Sequence, residues 1–173
     1  MDNAKNFSRY STPAGMDDLL LAGDGEFLTG VFFANSSSAQ CHPADGEFTE
    51  TPVLRETRAW LDEYFAGRQP AFFPKYRISS HATPFRLAVL EVMQTIPYGK
   101  TTTYGVIAET LAARFHKDKM SAQAVGQAVG WNPLCILIPC HRVIGANGSM
   151  TGYGGGLKNK IALLRHEGIQ VTK

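Results

Sequence analysis

Apolar positions along the chain fall into two regimes. In the first half they come as short dense runs. Leu19-Leu20-Leu21, a turn at Gly23-Asp24-Gly25, and the run from Phe27 to Phe33 predict a β-hairpin. A helix is predicted after Pro52, where Leu54, Thr57, Leu61 and Tyr64 share one stripe and Gly67 can end it. In the second half the spacing becomes helical. Thr83 can cap a helix with Pro84 at its first position, and Phe85, Val89, Val92, Met93 and Ile96 form its stripe. Pro97-Tyr98-Gly99-Lys100 breaks it. A second helix is predicted from Thr102 to about Arg114, with Val106, Ile107 and Leu111 facing inward, and a third from Ser121, its cap, to about Val129. Two short helices on a tight connection suggest a helix-turn-helix. Residues 67–83 have no period, so a domain connection falls there. The pattern therefore predicts an α/β scaffold domain at 1–78 and a mainly α domain at 83–173.

The third helix carries little bulk: Ala122, Ala124, Gly126 and Ala128. Such a helix either packs tightly on a neighbour or lets its backbone approach a ligand. Spacing alone leaves both open.

Charge changes the picture once the chain is divided. Net charge is only +2. Residues 1–82 hold 7 Lys and Arg against 11 Asp and Glu, a net of −4, while residues 83–173 hold 10 against 4, a net of +6. The split points to a polyanion partner for the second half. A hydrophobic content of 44% with 18% charged residues is that of an ordinary globular protein. No apolar run approaches the roughly 20 residues that span a bilayer, and Met1 to Lys5 lack a signal core, which predicts an intracellular chain. Three cysteines, Cys41, Cys135 and Cys140, cannot all pair, so reduced thiols are expected. Cys41-His42 has no second pair at zinc spacing, and no metal or cofactor motif is present.

Candidate chemistry sits between Asn132 and Val143. Ile136-Leu137-Ile138 reads as a buried extended run, Pro139 stops it, and Cys140-His141 follows. A Cys-His dipeptide alone is more often a buried inert thiol than a nucleophile. However, Ile138-Pro139-Cys140-His141-Arg142-Val143 resembles the active-site signature of the O6-alkylguanine-DNA alkyltransferases. Tyr98-Gly99, Thr103-Tyr104, Ala124-Val125-Gly126, Asn132-Pro133, Gly152 to Leu157 and His166-Glu167-Gly168 match it in order and spacing. The resemblance spans residues 83–168 and extends more weakly to Thr12-Pro13-Ala14-Gly15 and Leu28-Thr29-Gly30.

That resemblance implies a small ribonuclease-H-like sheet with a helix, followed by a winged-helix-like unit that enters the minor groove and flips the target base. It implies stoichiometric, irreversible transfer of an alkyl group from guanine O6, or thymine O4, to Cys140. The partner would be double-stranded DNA carrying the lesion, acted on by a cytoplasmic monomer (nuclear in a eukaryote) without a cofactor. His141 would take the Cys140 proton through a water, oriented by Glu167. Asn132 would support the turn, and Tyr104 would protonate the leaving oxygen. Carbonyls of Cys140 and Val143 would read the guanine amino group, and the N–H of Gly154, beside Tyr153, would reach O6. Gln123 occupies the position where the family usually has an Arg that replaces the flipped base. Cys135 stands where an apolar residue is usual and reads as packing. Three rivals remain: a damage-recognition protein without transfer, an alkylation-sensing helix-turn-helix regulator, and a cysteine hydrolase built on Cys140, His141 and Glu167.

Overall fold

The computed structural model describes residues 6–37, 46–150 and 152–171, so Met1 to Lys5 and the Cys41-His42 pair lie outside the described residues. Strands β1 (Asn6–Tyr10), β2 (Leu19–Gly23), β3 (Leu28–Phe33) and β4 (Glu47–Phe48) form a sheet of order β3-β2-β1-β4. The expected hairpin is present as the antiparallel β2–β3 pair. Its turn is held by the Asp24 carboxylate, which accepts from the N–H groups of Glu26 and Phe27, and Gly25 supplies a φ of 105°. Strands β2 and β3 are buried along their whole length. Helix α1 (Pro52–Phe65) covers the sheet with Leu54, Thr57, Leu61 and Tyr64, the stripe read from spacing, and the residue after its cap, Gly67, has the expected positive φ of 75°.

The second half consists of α2 (Pro84–Gln94), β5 (Thr102–Thr103), α3 (Tyr104–Arg114), α4 (Ala122–Gly130), β6 (Val143–Ile144) and α5 (Leu157–His166). Both predicted caps form. The hydroxyls of Thr83 and Ser121 accept from Arg86 N at 3.2 Å and Ala124 N at 3.3 Å. Thr102 and Thr103 were expected to begin a helix. Instead they pair in parallel with Val143 and Ile144, and α3 starts two residues later than expected, at Tyr104. Val106 does not face inward: it is 49% exposed, because Ile107, Ala108, Leu111 and Ala112 form the buried face of α3. Helix α4 packs against α2 and α3 with Ala128 buried, while Gly126 lies beside the ring of Tyr104 at ordinary contact distance. Among the described residues, no helix is long and apolar enough to cross a membrane.

One apolar core runs through both halves. The outer edge of β3 is the seam. Leu28 exchanges backbone hydrogen bonds with Lys75 and Arg77, and Val31 does so with Pro133 and Cys135, at 2.8 and 3.0 Å. The segment leading to Cys140 is thereby fastened to the N-terminal sheet, which also closes an otherwise free strand edge. Asp17 adds a second link, accepting from the amide of Asn159 at 2.8 Å while its own N–H donates to Asn159 Oδ1 at 2.9 Å.

Candidate active site

The run Ile136-Leu137-Ile138 is buried, as expected, but it is not extended. It folds back on itself, with Ile138 N donating to Leu134 O at 2.9 Å and Leu137 N to Cys135 O at 2.9 Å. Ile136 takes a φ of 73°. For a β-branched residue that region costs about 1–3 kcal/mol and persists only where surroundings dictate it. Here they do. Asn132, 2% exposed, donates from Nδ2 to Ile138 O at 2.8 Å and to Cys140 Sγ at 3.0 Å, while its Oδ1 accepts from Leu134 N at 3.1 Å. One amide thus holds both ends of the turn and touches the thiol that the turn delivers.

Cys140 begins a short 3-10 turn, Cys140–Arg142, at the floor of a cavity of about 780 Å³. Tyr104, Gln123, Asn132, Tyr153 and Gly154 line the same cavity, so the structure brings these expected site residues together. Cys135 lines it too. The Cys135 thiol, ahead of Asn132, Tyr153 and the charge of Lys160, lowers the Cys140 thiol to about 7 against the opposing effect of burial. The Tyr153 hydroxyl stands 3.8 Å from Sγ. Burial, reinforced by the charge on Cys140, raises both Tyr104 and Tyr153, so both remain protonated donors beside a thiolate. The Tyr104 hydroxyl reaches Gly152 O at 3.4 Å.

His141, Glu167 and Val143 stand behind the cavity rather than among its lining residues. His141 Nε2 lies 2.7 Å from Glu167 Oε1, and both side chains are fully buried. Nδ1 of the same ring is buried without a hydrogen-bond partner, so no direct bond joins His141 to Cys140 among the described residues. Burial lowers His141 more than Glu167 raises it, which keeps the ring neutral and able to accept a proton. Burial pushes Glu167 up, but bonds from His141 and Arg142 more than offset this and hold it well below the usual carboxylate range. Arg142 grips the carboxylate with Nε to Oε2 and Nη2 to Oε1, both at 2.9 Å, and sends Nη1 to Ile96 O at 2.7 Å.

One contributor had no signal in the pattern. Lys160, buried on α5, donates to the Val143 carbonyl at 2.7 Å and lies 5.9 Å from the Tyr153 ring centroid. The carbonyl expected to read a base therefore already serves one donor, with a second lone pair left. Gly155 is required because a Cβ there would meet the Tyr153 ring at 2.5 Å and Phe33 at 2.8 Å. That close approach presses the Gly152–Gly156 loop against the N-terminal sheet. Its neighbour Gly154 is tied to the same half, accepting from Ser37 Oγ at 3.2 Å.

Comparison with known proteins agrees with this geometry. The sequence pattern of the 6-O-methylguanine DNA methyltransferase DNA-binding domain matches residues 84–169, and that of its ribonuclease-like domain matches residues 7–73. A methylated-DNA–protein-cysteine methyltransferase of Methanosarcina acetivorans is 38% identical over 162 residues, 94% of this chain and 97% of the relative. The protein of the same name from Mycobacterium leprae is 40% identical over 153 residues, covering 88% of this chain and 87% of that one. Among solved structures, Mycobacterium tuberculosis OGT in complex with DNA superposes with a TM-score of 0.77 at 34% identity, covering 94% of this chain and 92% of that chain.

Proposed function

Since the chain belongs to the 6-O-methylguanine DNA methyltransferase family, we propose that it repairs DNA by moving the alkyl group of O6-alkylguanine onto Cys140, once per molecule. One observation carries the reading: a Cys140 thiol lowered to about 7 on the floor of a cavity large enough for a base. Substitution at an alkyl carbon needs a soft nucleophile, and a thiolate is one. The Cys140 S–C bond forms as the C–O6 bond breaks, and the guanine oxygen leaves with the electron pair.

Each expected role has geometric support. Asn132, Cys135 and Tyr153 stabilise the thiolate by hydrogen bonding. The free Nδ1 of neutral His141, with Nε2 fixed on Glu167, suits a base that takes the Cys140 proton through a bridging water. Tyr104, kept protonated in the cavity, suits proton donation to the departing O6. Gln123, exposed on α4 at the cavity mouth, would take the space of the flipped nucleotide without the charge of an Arg. Tyr153, Val143 and Gly154 would frame the base. The partner is then double-stranded DNA, which the surplus of positive charge after residue 83 would attract. The same reading divides the chain into a scaffold at 1–78 and a DNA-binding, alkyl-accepting part at 83–173, in keeping with the two matched ranges. It also carries the expectation of a cytoplasmic protein.

The test follows the lesion. Duplex DNA holding one O6-methylguanine is mixed with graded amounts of protein, and remaining lesion is counted by nucleoside chromatography. The reading predicts that loss stops at one lesion per protein and that Cys140→Ala removes none. Continued turnover would point to a hydrolase, and binding without loss to a damage-recognition protein.

A further inference from the structure

We propose that Tyr64 is a positioning residue for the alkyl transfer: its hydroxyl, delivered by α1 from the N-terminal half, fixes the Glu167 oxygen that holds the His141 ring. The inference rests on the functional reading above and extends it to the half of the chain that holds none of the transfer residues.

The geometry is specific. Tyr64 O–H donates to Glu167 Oε1 at 2.8 Å, in a fully buried contact across 103 residues of sequence. The same oxygen lies 2.7 Å from His141 Nε2 and accepts from Arg142 Nη2 at 2.9 Å. The Tyr64 main chain is held as well, because His166 Nε2–H donates to its carbonyl at 2.9 Å. Side chain and backbone of one residue thus engage two consecutive residues at the end of α5. The ring needs no hydroxyl for its packing. It stacks on Trp60 at 5.7 Å and meets Tyr98 edge-on at 6.0 Å. Burial and the Glu167 charge keep the hydroxyl protonated, so it acts as a donor throughout the working range.

Three side chains share Oε1. Removing one leaves more of its charge to the other two, so His141 is held more tightly in its protonated form. Other charged or titratable groups acting on this carboxylate are Arg142 on the 3-10 turn and Tyr98 on the loop after α2, while the ring of His166 on α5 packs against Tyr64. Lys160 acts on His141 from α5. The sign is therefore set by Tyr64 alone. Without its hydroxyl His141 becomes more basic, and the acid limb of the rate profile, where the base must be neutral, moves to higher pH.

Tyr64→Phe keeps the ring and removes the donor. The first readout is the His141 imidazole titration in the unreacted protein by NMR, which does not depend on transfer. The second is the pH profile of single-turnover methyl transfer from duplex O6-methylguanine. We expect the titration midpoint to rise by about half a unit and the rate below it to fall about threefold. In a Glu167→Gln background the same change should slow transfer no further, since the coupled oxygen has changed. An unmoved His141 midpoint with only a lower melting temperature would overturn the proposal, as would additive effects of the two substitutions. Failure of the unsubstituted protein to transfer would instead refute the functional reading.

Discussion

Behind Cys140, the carboxylate of Glu167 is met by buried donors from His141, Arg142 and Tyr64 and by the partly buried N–H of Gly99. In front of it, Gln123 stands exposed on α4 among the residues that line the cavity. Both regions serve one thiol, yet they are held differently. The rear is a polar network in which almost every group has a partner, so the loss of any one strands another away from water. The front is the buried face of two helices turned away, leaving outer side chains free to vary. Chemistry should therefore fail at the rear together with stability, while the front should change recognition alone.

The largest effect should come from breaking the rear charge pair. Glu167→Ala leaves the Arg142 guanidinium buried without its carboxylate, which costs on the order of 3–5 kcal/mol. A thermal melt should show the loss, and a melting temperature within a degree or so of the parent would contradict the network reading. Asn132→Ala comes next. It removes donors from Ile138 O and Cys140 Sγ, at about 1–3 kcal/mol for the stranded groups. It should also slow iodoacetamide capture of Cys140 at neutral pH.

A smaller effect separates the two cysteines. Thiolate is the reactive form, so capture should rise as pH passes about 7 and then level off. Cys135→Ala removes the foremost stabilising contact and should move that rise to higher pH, with little change in the melt. A rise at unchanged pH would show that Cys135 is inert. Least of all, Gln123→Arg should leave the melt within about 0.5 kcal/mol of the parent. Its effect should appear only as faster transfer from duplex, measured against transfer from the free base. Equal rates for both proteins would remove Gln123 from the interface.

How far these regions could be read from sequence follows the same division. The Leu19–Phe33 hairpin, the α1 stripe and the caps at Thr83 and Ser121 were legible because each signal is local. The set around Cys140 was legible because its spacing resembles a family. What escaped was long-range. Ile136-Leu137-Ile138 has strand composition, but Asn132 and the Val31 bridge override it and force a reversal at Ile136. Tyr64 looked like a core aromatic, and its ring is one; the hydroxyl partner lies 103 residues away. Lys160 lies in the polar run Lys158-Asn159-Lys160, which gives no hint that it is buried. Val106 was misplaced because the spacing of α3 allows two apolar faces and only packing chooses between them.

The measurement that bears most directly on the central claim is intact and peptide mass spectrometry after reaction with duplex DNA holding one O6-methylguanine. With two thiols lining one cavity, the location of the adduct decides the matter. The account predicts a single methyl gain, found on the peptide at Cys140, retained in Cys135→Ala and absent from Cys140→Ala. A methyl group on Cys135, or no gain while the lesion stays bound, would contradict it.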